Sequence, residues 1–597
     1  MPIIKPVSRT RFRARLAKIA LPLLASVALA SPAAAGPSDA LAQLIKEHWD
    51  WTLSENPVLA SSMGVPGYEG KVGDMSLAAA DKSAKTAEAF LERLNMIRLD
   101  ALPLADRINA QILRRALSDQ VKANRFGQRT MLFTTYYGWH QGFAGLGDNS
   151  PLRNKVDYQS YLDRLAQYPK VNDEALKITQ QAVDGGYVLP CEVLGNSAKG
   201  IIGVVSDDPT KSRFYGPFLR NKPVDMTDAE WRAMQARAKS LITDVLNPAY
   251  RKHHAFFTGT YLKKCAQNPA ITAQPGGKDY YAFRIRQETT TNLTAEQIHQ
   301  IGLNEVKRIR AEMETVAKKA GFATREAFIA DLRSNPKYYV KTPEELMEAA
   351  SRVAKTIDGK MPTLFHKLPR LPYGLKEIPA EIAEGTTTAY YNPGSPQSGI
   401  AGNYYVNTSK LDQRPLYELP ALTAHEAVPG HHNQIALQQE LDIPAFRQNI
   451  GFTAFTEGWG LYAERLGIEM GLYDTPAKDM GRLSYEMWRA CRLVVDTGIH
   501  AKGWTKAQGI QFMKDNSALS DANIEAEVNR YISWPGQALG YKIGEIKIRE
   551  LRSLAEKELG AKFDLAAFHD TVLGQGAVPL DVLEWQVKDW IAKVKWS

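Results

Sequence analysis

The sequence predicts a mainly α protein with a small β region. Three observations carry that expectation. Apolar residues return at helical spacing through much of the chain, as with Ala84, Leu91, Leu94 and Ile97, or Ile298, Ile301, Val306 and Ile309. Between residues 369 and 418 this period gives way to proline, glycine, threonine and tyrosine. Helical patterns resume after 418. The expected division is a leader at 1–35, a mainly helical part over 36–368, a small β region over 369–418 and a second helical part over 419–597.

A chain of 597 residues with 44% hydrophobic composition can bury a large core, in two or three subdomains. Its start reads as an export signal. Lys5, Arg9, Arg11, Arg13, Arg15 and Lys18 precede an apolar run from Ile19 to Ala30, and Ala33-Ala34-Ala35 suits cleavage before Gly36. The run is too short to read as a membrane span, and no cysteine follows it at a lipoprotein-like position. The processed protein is expected to be periplasmic or secreted, with no stable transmembrane segment. Removing the six basic leader residues takes the net charge from +9 to +3, which argues against a nucleic-acid partner. Of three cysteines, Cys191 and Cys265 are the obvious pair, and Cys491 falls in a helical pattern that buries it.

Taken in order, helices are expected at 38–54, 76–98, 103–120, 152–183, 228–264 (with a break at Pro248), 295–320, 325–332, 343–357 and 359–366. The aromatic run within 280–291 reads as extended. Tyr136-Tyr137-Gly138-Trp139-His140 is an aromatic loop that either lines a pocket or packs on helices. Short strands follow in 369–418, including Gly402-Asn403-Tyr404-Tyr405-Val406-Asn407-Thr408. Such a strand can wall a cleft and present Tyr404, Tyr405 and Asn407 to an extended substrate.

Immediately afterwards comes His425-Glu426-Ala427-Val428-Pro429-Gly430-His431-His432. Histidines on a zinc-binding helix ordinarily stand four apart, with a glutamate base after the first. Here the next histidines are at i+6 and i+7. On a straight helix i+6 lies roughly 120° from the face of i, and i+7 lies about 10 Å along the axis. Neither meets His425 unless the helix breaks. Pro429 removes a backbone donor and Gly430 tolerates unusual dihedrals, so a bend there can carry His431 back beside His425. Glu457, in the helical stretch 451–470, suits a third ligand, and Glu464 on the same face can fix a ligand imidazole.

Further along, Arg489, Arg492 and Asp496 share a helical face, as a buried ion network or a clamp for a substrate carboxylate. His500, Tyr531 and Tyr541 are candidates to stabilise an oxyanion or donate a proton. Two or three amphipathic helices close the chain over 544–595.

These strings together resemble a widespread bacterial family known as domain of unknown function 885. The resemblance rests on 402–408, His425 to His432, Glu457-Gly458-Trp459, Arg492 to His500, and Arg530-Tyr531 with Pro535 to Gly544, and it spans essentially all of the mature chain. It implies a relation to gluzincin-type helical zinc peptidases of the thimet-oligopeptidase and Taq-carboxypeptidase kind, with a large helical zincin-like fold and a central cleft. Matching their shorter motif at its Gly-His end makes His425, His431 and Glu457 the zinc ligands and Glu426 the base. His432 then supports a ligand or faces the substrate, and it stays the alternative ligand to His431 because two extra residues precede the Gly-His end.

The function expected is a zinc-dependent hydrolase of peptide bonds in short peptides, with Glu426 as base and Arg489 or Arg492 on a peptide carboxylate. Two rivals share the features: a metal-dependent amidase, esterase or lyase on a non-peptide substrate, and a non-catalytic periplasmic binding protein with a vestigial site.

Overall fold

Helices dominate the computed structural model, which describes residues 36–150, 152–384, 386–397 and 399–596. The expected leader lies outside the described residues. Several helix starts coincide with side chains that serve free amide groups. Ser76 accepts from Ala79 N to open Leu77–Asn95, and Thr227 and Thr342 form capping boxes for Asp228–Ser240 and Pro343–Asp358. Among the described residues no helix is long and apolar enough to cross a membrane.

Several expected boundaries move. The aromatic stretch read as extended is a helix, Gly277–Thr289. Its buried Tyr281, Ile285, Glu288 and Thr289 repeat at helical spacing, and Arg284 pairs with Glu288 one turn on. The 152–183 pattern divides into Lys155–Ala166 and Tyr168–Gly185, with Pro169 in the first turn of the second. Pro248 does not end the 228–264 pattern, because a π-helical turn at Leu241–Leu246 leads into Asn247–Phe256. Pro362 leaves only a 3-10 turn, Met361–Thr363, in the expected 359–366 helix. Cys191 and Cys265 are disulfide-bonded, and Cys491 is free and buried.

Ten elements position the site. The first helix, α1 (Ala295–Lys319), is opened by a capping box between Thr294 and Gln297. The sheet is β1 (Tyr373–Glu377), β2 (Ala389–Asn392) and β3 (Gly402–Val406), in the order β1-β3-β2. β3 runs parallel to β1 and antiparallel to β2, pairing Tyr404 with Leu375 and with Tyr391. Its residues alternate, with Gly402, Tyr404 and Val406 buried and Asn403 and Tyr405 half-buried. Then come α2 (Leu419–Glu426), α3 (His431–Glu440), α4 (Thr453–Leu466), α5 (Pro476–Lys502), α6 (Asp521–Ser533) and α7 (Leu539–Leu559). α5 packs along α1, and α7 along α4.

α5 is the central helix, and all of its residues from Met480 to His500 are buried. A helix buried all round must satisfy each polar side chain internally. That requirement decides what Arg489, Arg492, Asp496 and His500 do.

Candidate metal centre

The helix predicted to bend at Pro429-Gly430 breaks there. α2 ends at Glu426, the Val428–Pro429 bond is cis, and α3 starts at His431. The chain doubles back so tightly that a Cβ on Gly430 would lie 1.9 Å from the His425 carbonyl oxygen. Only glycine fits that approach. Two bonds pin the break: His432 N donates to Ala427 O at 3.0 Å, and Trp459 Nε1 donates to Pro429 O at 2.8 Å. The His425 and His431 rings thereby come to 4.6 Å centroid to centroid, nearly perpendicular at 86°.

Glu457 enters from α4. Its Oε2 stands 3.4 Å from His425 Nε2 and 3.3 Å from His431 Nε2. Two donors each about 2.05 Å from a tetrahedral ion stand roughly 3.3 Å apart, so both separations match a shared metal. Glu457 Oε2 is buried and accepts no hydrogen bond from the protein, as a ligand oxygen would be left. His425, His431 and Glu457 thus form a cluster able to hold a metal ion. Gly460, one turn beyond Glu457, lets α4 lie against the first histidine, since a Cβ there would meet His425 Cε1 at 2.7 Å.

Glu464 completes the set from the next turn of α4. Its Oε1 lies 2.8 Å from His425 Nδ1 and 3.0 Å from an Arg489 guanidinium nitrogen. A carboxylate there places the ring hydrogen on Nδ1 and leaves Nε2 as the lone pair facing Glu457. Electrostatics favour a cation. Burial opposes charge on His425, but Glu457, Glu464 and Glu426 outweigh it and lift the imidazole to about 9. Burial acts to raise the Glu457 carboxyl, yet the two imidazoles hold it well below the usual carboxylate range. A metal ion would take the place of the proton. Tyr541 stacks on His425, 6.3 Å between centroids and 15° between planes, and its hydroxyl accepts from Arg530 Nη2 at 3.0 Å. Burial raises the phenol above its ordinary value, which keeps its proton.

The family model described as a bacterial protein of unknown function, DUF885, matches residues 57–587. The chain belongs to the DUF885 family. A search of curated proteins finds no match. Among solved structures, a candidate lipoprotein from Colwellia psychrerythraea is similar at 28% identity, over 94% of this chain and 100% of that one, with a TM-score of 0.87. A candidate lipoprotein of unknown function from Shewanella oneidensis shares the fold at 21% identity, over 92% and 99% of the two chains, with a TM-score of 0.67. The likeness to Pz peptidase A with an inhibitor is slight, at 11% identity over 87% and 98% of the two chains with a TM-score of 0.30, and says nothing of this chain's chemistry.

Other residues singled out in this DUF885 chain lie elsewhere. His432 turns from the cluster, its Nδ1 2.8 Å from the Tyr391 hydroxyl and its Nε2 2.9 Å from Leu371 O, so it ties α3 to the sheet. His500 is fully buried and uses both nitrogens on backbone: Nδ1 accepts from Ile271 N at 3.0 Å and Nε2 donates to Tyr531 O at 2.9 Å. It has no nitrogen left for a reacting group. The Tyr531 hydroxyl accepts from Trp488 Nε1 at 3.0 Å and Arg492 Nε at 3.2 Å inside the core, leaving Tyr541 as the tyrosine against the cluster. Asp496 pairs with neither arginine and holds Tyr281 OH at 2.6 Å and Gly536 N at 3.1 Å. Asn407 spends its amide nitrogen on the carbonyls of Ala383, Thr386 and Thr387, closing a turn rather than facing a substrate. Tyr404 is buried beneath the sheet against Thr423, 3.4 Å between hydroxyls, while Tyr405 on the other face stacks on Tyr390. Arg489 is committed to Glu464, and Arg492 Nη2 to Glu527 Oε2 at 2.8 Å. Arg530, which the sequence offered only within a motif string, reaches the Tyr541 hydroxyl instead. Its signal was the Arg530–Tyr541 spacing across the Pro535-Gly536 turn.

Proposed function

We propose that this protein is an exported zinc-dependent hydrolase that cleaves peptide bonds in short peptides. The observation that carries the reading is the convergence of His425 Nε2 and His431 Nε2 on a buried, unbonded Glu457 Oε2 at spacings of 3.4 and 3.3 Å. Two imidazoles and one carboxylate are a donor set for catalytic zinc, which leaves a position for water or substrate. When bound, the ion would acidify a water molecule and polarise the carbonyl under attack.

The chain's own groups divide the remaining work. Glu426 follows a ligand directly in the chain and is buried at the end of the same helix, so its carboxylate is the group we assign to take a proton from water and return it to the leaving group. Glu464 holds the His425 ring in one tautomer. Tyr541 keeps its proton and lies against His425, where it can donate to the developing oxyanion. The likeness to structures described as candidate lipoproteins supports an extracytoplasmic location, although no cysteine precedes Cys191 in this chain.

The donor set suits carbonyl hydrolysis in general as well as it suits peptides. The same residues would serve a metal-dependent amidase or esterase on a non-peptide substrate. A panel of short peptides, simple amides and esters separates the readings in the zinc-loaded protein. Glu426→Gln is expected to lower kcat by about 10³-fold on whichever class is cleaved, with metal content unchanged. Unaltered turnover by that variant would remove Glu426 as the base.

A further inference from the structure

Three polar atoms around Tyr541 have no hydrogen-bond partner among the described residues, and the metal chemistry does not use them. They are Arg492 Nη1, Arg530 Nε and the Tyr136 hydroxyl, all buried. Unpaired donors in a protein interior are costly unless a ligand meets them. Arg492 lies on central α5 and is 1% exposed. Arg530 lies on α6, where its Nη2 donates to Gln537 Oε1 at 2.7 Å and to the Tyr541 hydroxyl at 3.0 Å.

The charges do not balance. Glu527 Oε2 accepts from Arg492 Nη2 at 2.8 Å, and its Oε1 stands 3.5 Å from Arg530 Nη1. Two guanidiniums therefore share one carboxylate, leaving an excess of one positive charge. Both pack on the Tyr541 ring, 4.1 and 5.7 Å from its centre, and that ring is stacked on His425. Tyr136 comes from the aromatic loop, its ring 5.4 Å from the Arg530 guanidinium. The loop is fastened to α6 where Thr135 N donates to Ser533 Oγ at 3.3 Å. The side chains of Glu457 and Arg530, at the two ends of the arrangement, keep 19% and 11% of their surface exposed.

We propose that Arg492 and Arg530, with the Tyr136 hydroxyl, bind the C-terminal carboxylate of a short peptide, so that the enzyme is an exopeptidase acting on free C-termini. A carboxylate supplies one negative charge against the one in excess, and its oxygens can accept from both guanidiniums and the phenol. The guanidiniums lie one ring beyond His425. At roughly 3.5 Å per extended residue, the bound carboxylate would stand about one to three residues from the bond cleaved. Hydrolysis there adds one water across the C–N bond, giving a new carboxylate on the shortened peptide and a free amine on the released fragment. The cleavage rests on the hydrolase reading above; the carboxylate pocket does not.

The test is equilibrium binding by calorimetry, using the Glu426→Gln protein and tetra-alanine as the free acid and as the C-terminal amide. The acid is expected to bind at least tenfold more tightly. Adding Arg530→Gln should bring the two affinities within threefold of each other. Equal binding of acid and amide, or binding of neither, would overturn the proposal, and so would a tenfold preference that survives both Arg530→Gln and Arg492→Gln. The ratio in the Glu426→Gln protein decides the matter even where the arginine variants do not fold. A retained preference in a protein whose unmutated form cleaves no peptide would sink the hydrolase reading and uphold the pocket.

Discussion

The histidine at 425 shows how much one residue's surroundings decide. Its Nε2 faces Glu457, its Nδ1 faces Glu464, and Tyr541 lies flat against the ring. Removing the charge of Glu464 leaves the three ligands in place but loosens the imidazole and its tautomer. Glu464→Gln is expected to weaken zinc binding by about 10- to 100-fold, measured by competition with a chromophoric chelator. Affinity equal to the unmutated protein would show that Glu464 serves only Arg489. At this scale the sequence was legible where chemistry restricts residue type. Two histidines and two glutamates within a short span are the residues that the fold brings together. It was not legible where burial does the deciding. His500 and Tyr531 have the right chemistry for catalysis, but both are fully buried and their polar atoms are consumed by backbone and by Trp488 and Arg492.

Among elements, the break between α2 and α3 and the approach of α4 make the cluster. An uninterrupted helix would hold His425 and His431 on different faces. The Pro-Gly pair announced the break, though not its outcome, because choosing His431 over His432 depends on Tyr391 and Leu371 holding the latter from the sheet side. The helix at Gly277–Thr289 was hidden for another reason: clustered aromatics read as strand, and only packing reveals which face is buried. α4's approach makes a sharp prediction. Gly460→Ala places a methyl carbon 2.7 Å from His425 Cε1, closer than carbon atoms can approach, so either the ring or the helix must shift. Destabilisation of about 1–3 kcal/mol in denaturant unfolding is expected, together with weakened zinc binding. A variant with unchanged stability and zinc affinity would mean that α4 and His425 are not so closely apposed.

For the molecule as a whole, the helical frame brings residues from three separate helices to one point, and the sheet braces α3 from the side. An unfolded chain has no such point, so metal binding and folding are linked. A similar frame in the Colwellia psychrerythraea protein, with a TM-score of 0.87, ties this architecture to a larger group without saying what it does. The helical class was readable from periodicity alone, whereas the burial of α5 emerges only when the two halves pack. The central claim is that one ion is held by His425, His431 and Glu457, with His432 uninvolved. Metal content per chain, after zinc loading and removal of free ion, tests it most directly. The account predicts about one zinc in the unmutated protein and in His432→Ala, and loss of it in His431→Ala. Full zinc content in His431→Ala, or none in the unmutated protein, would contradict it.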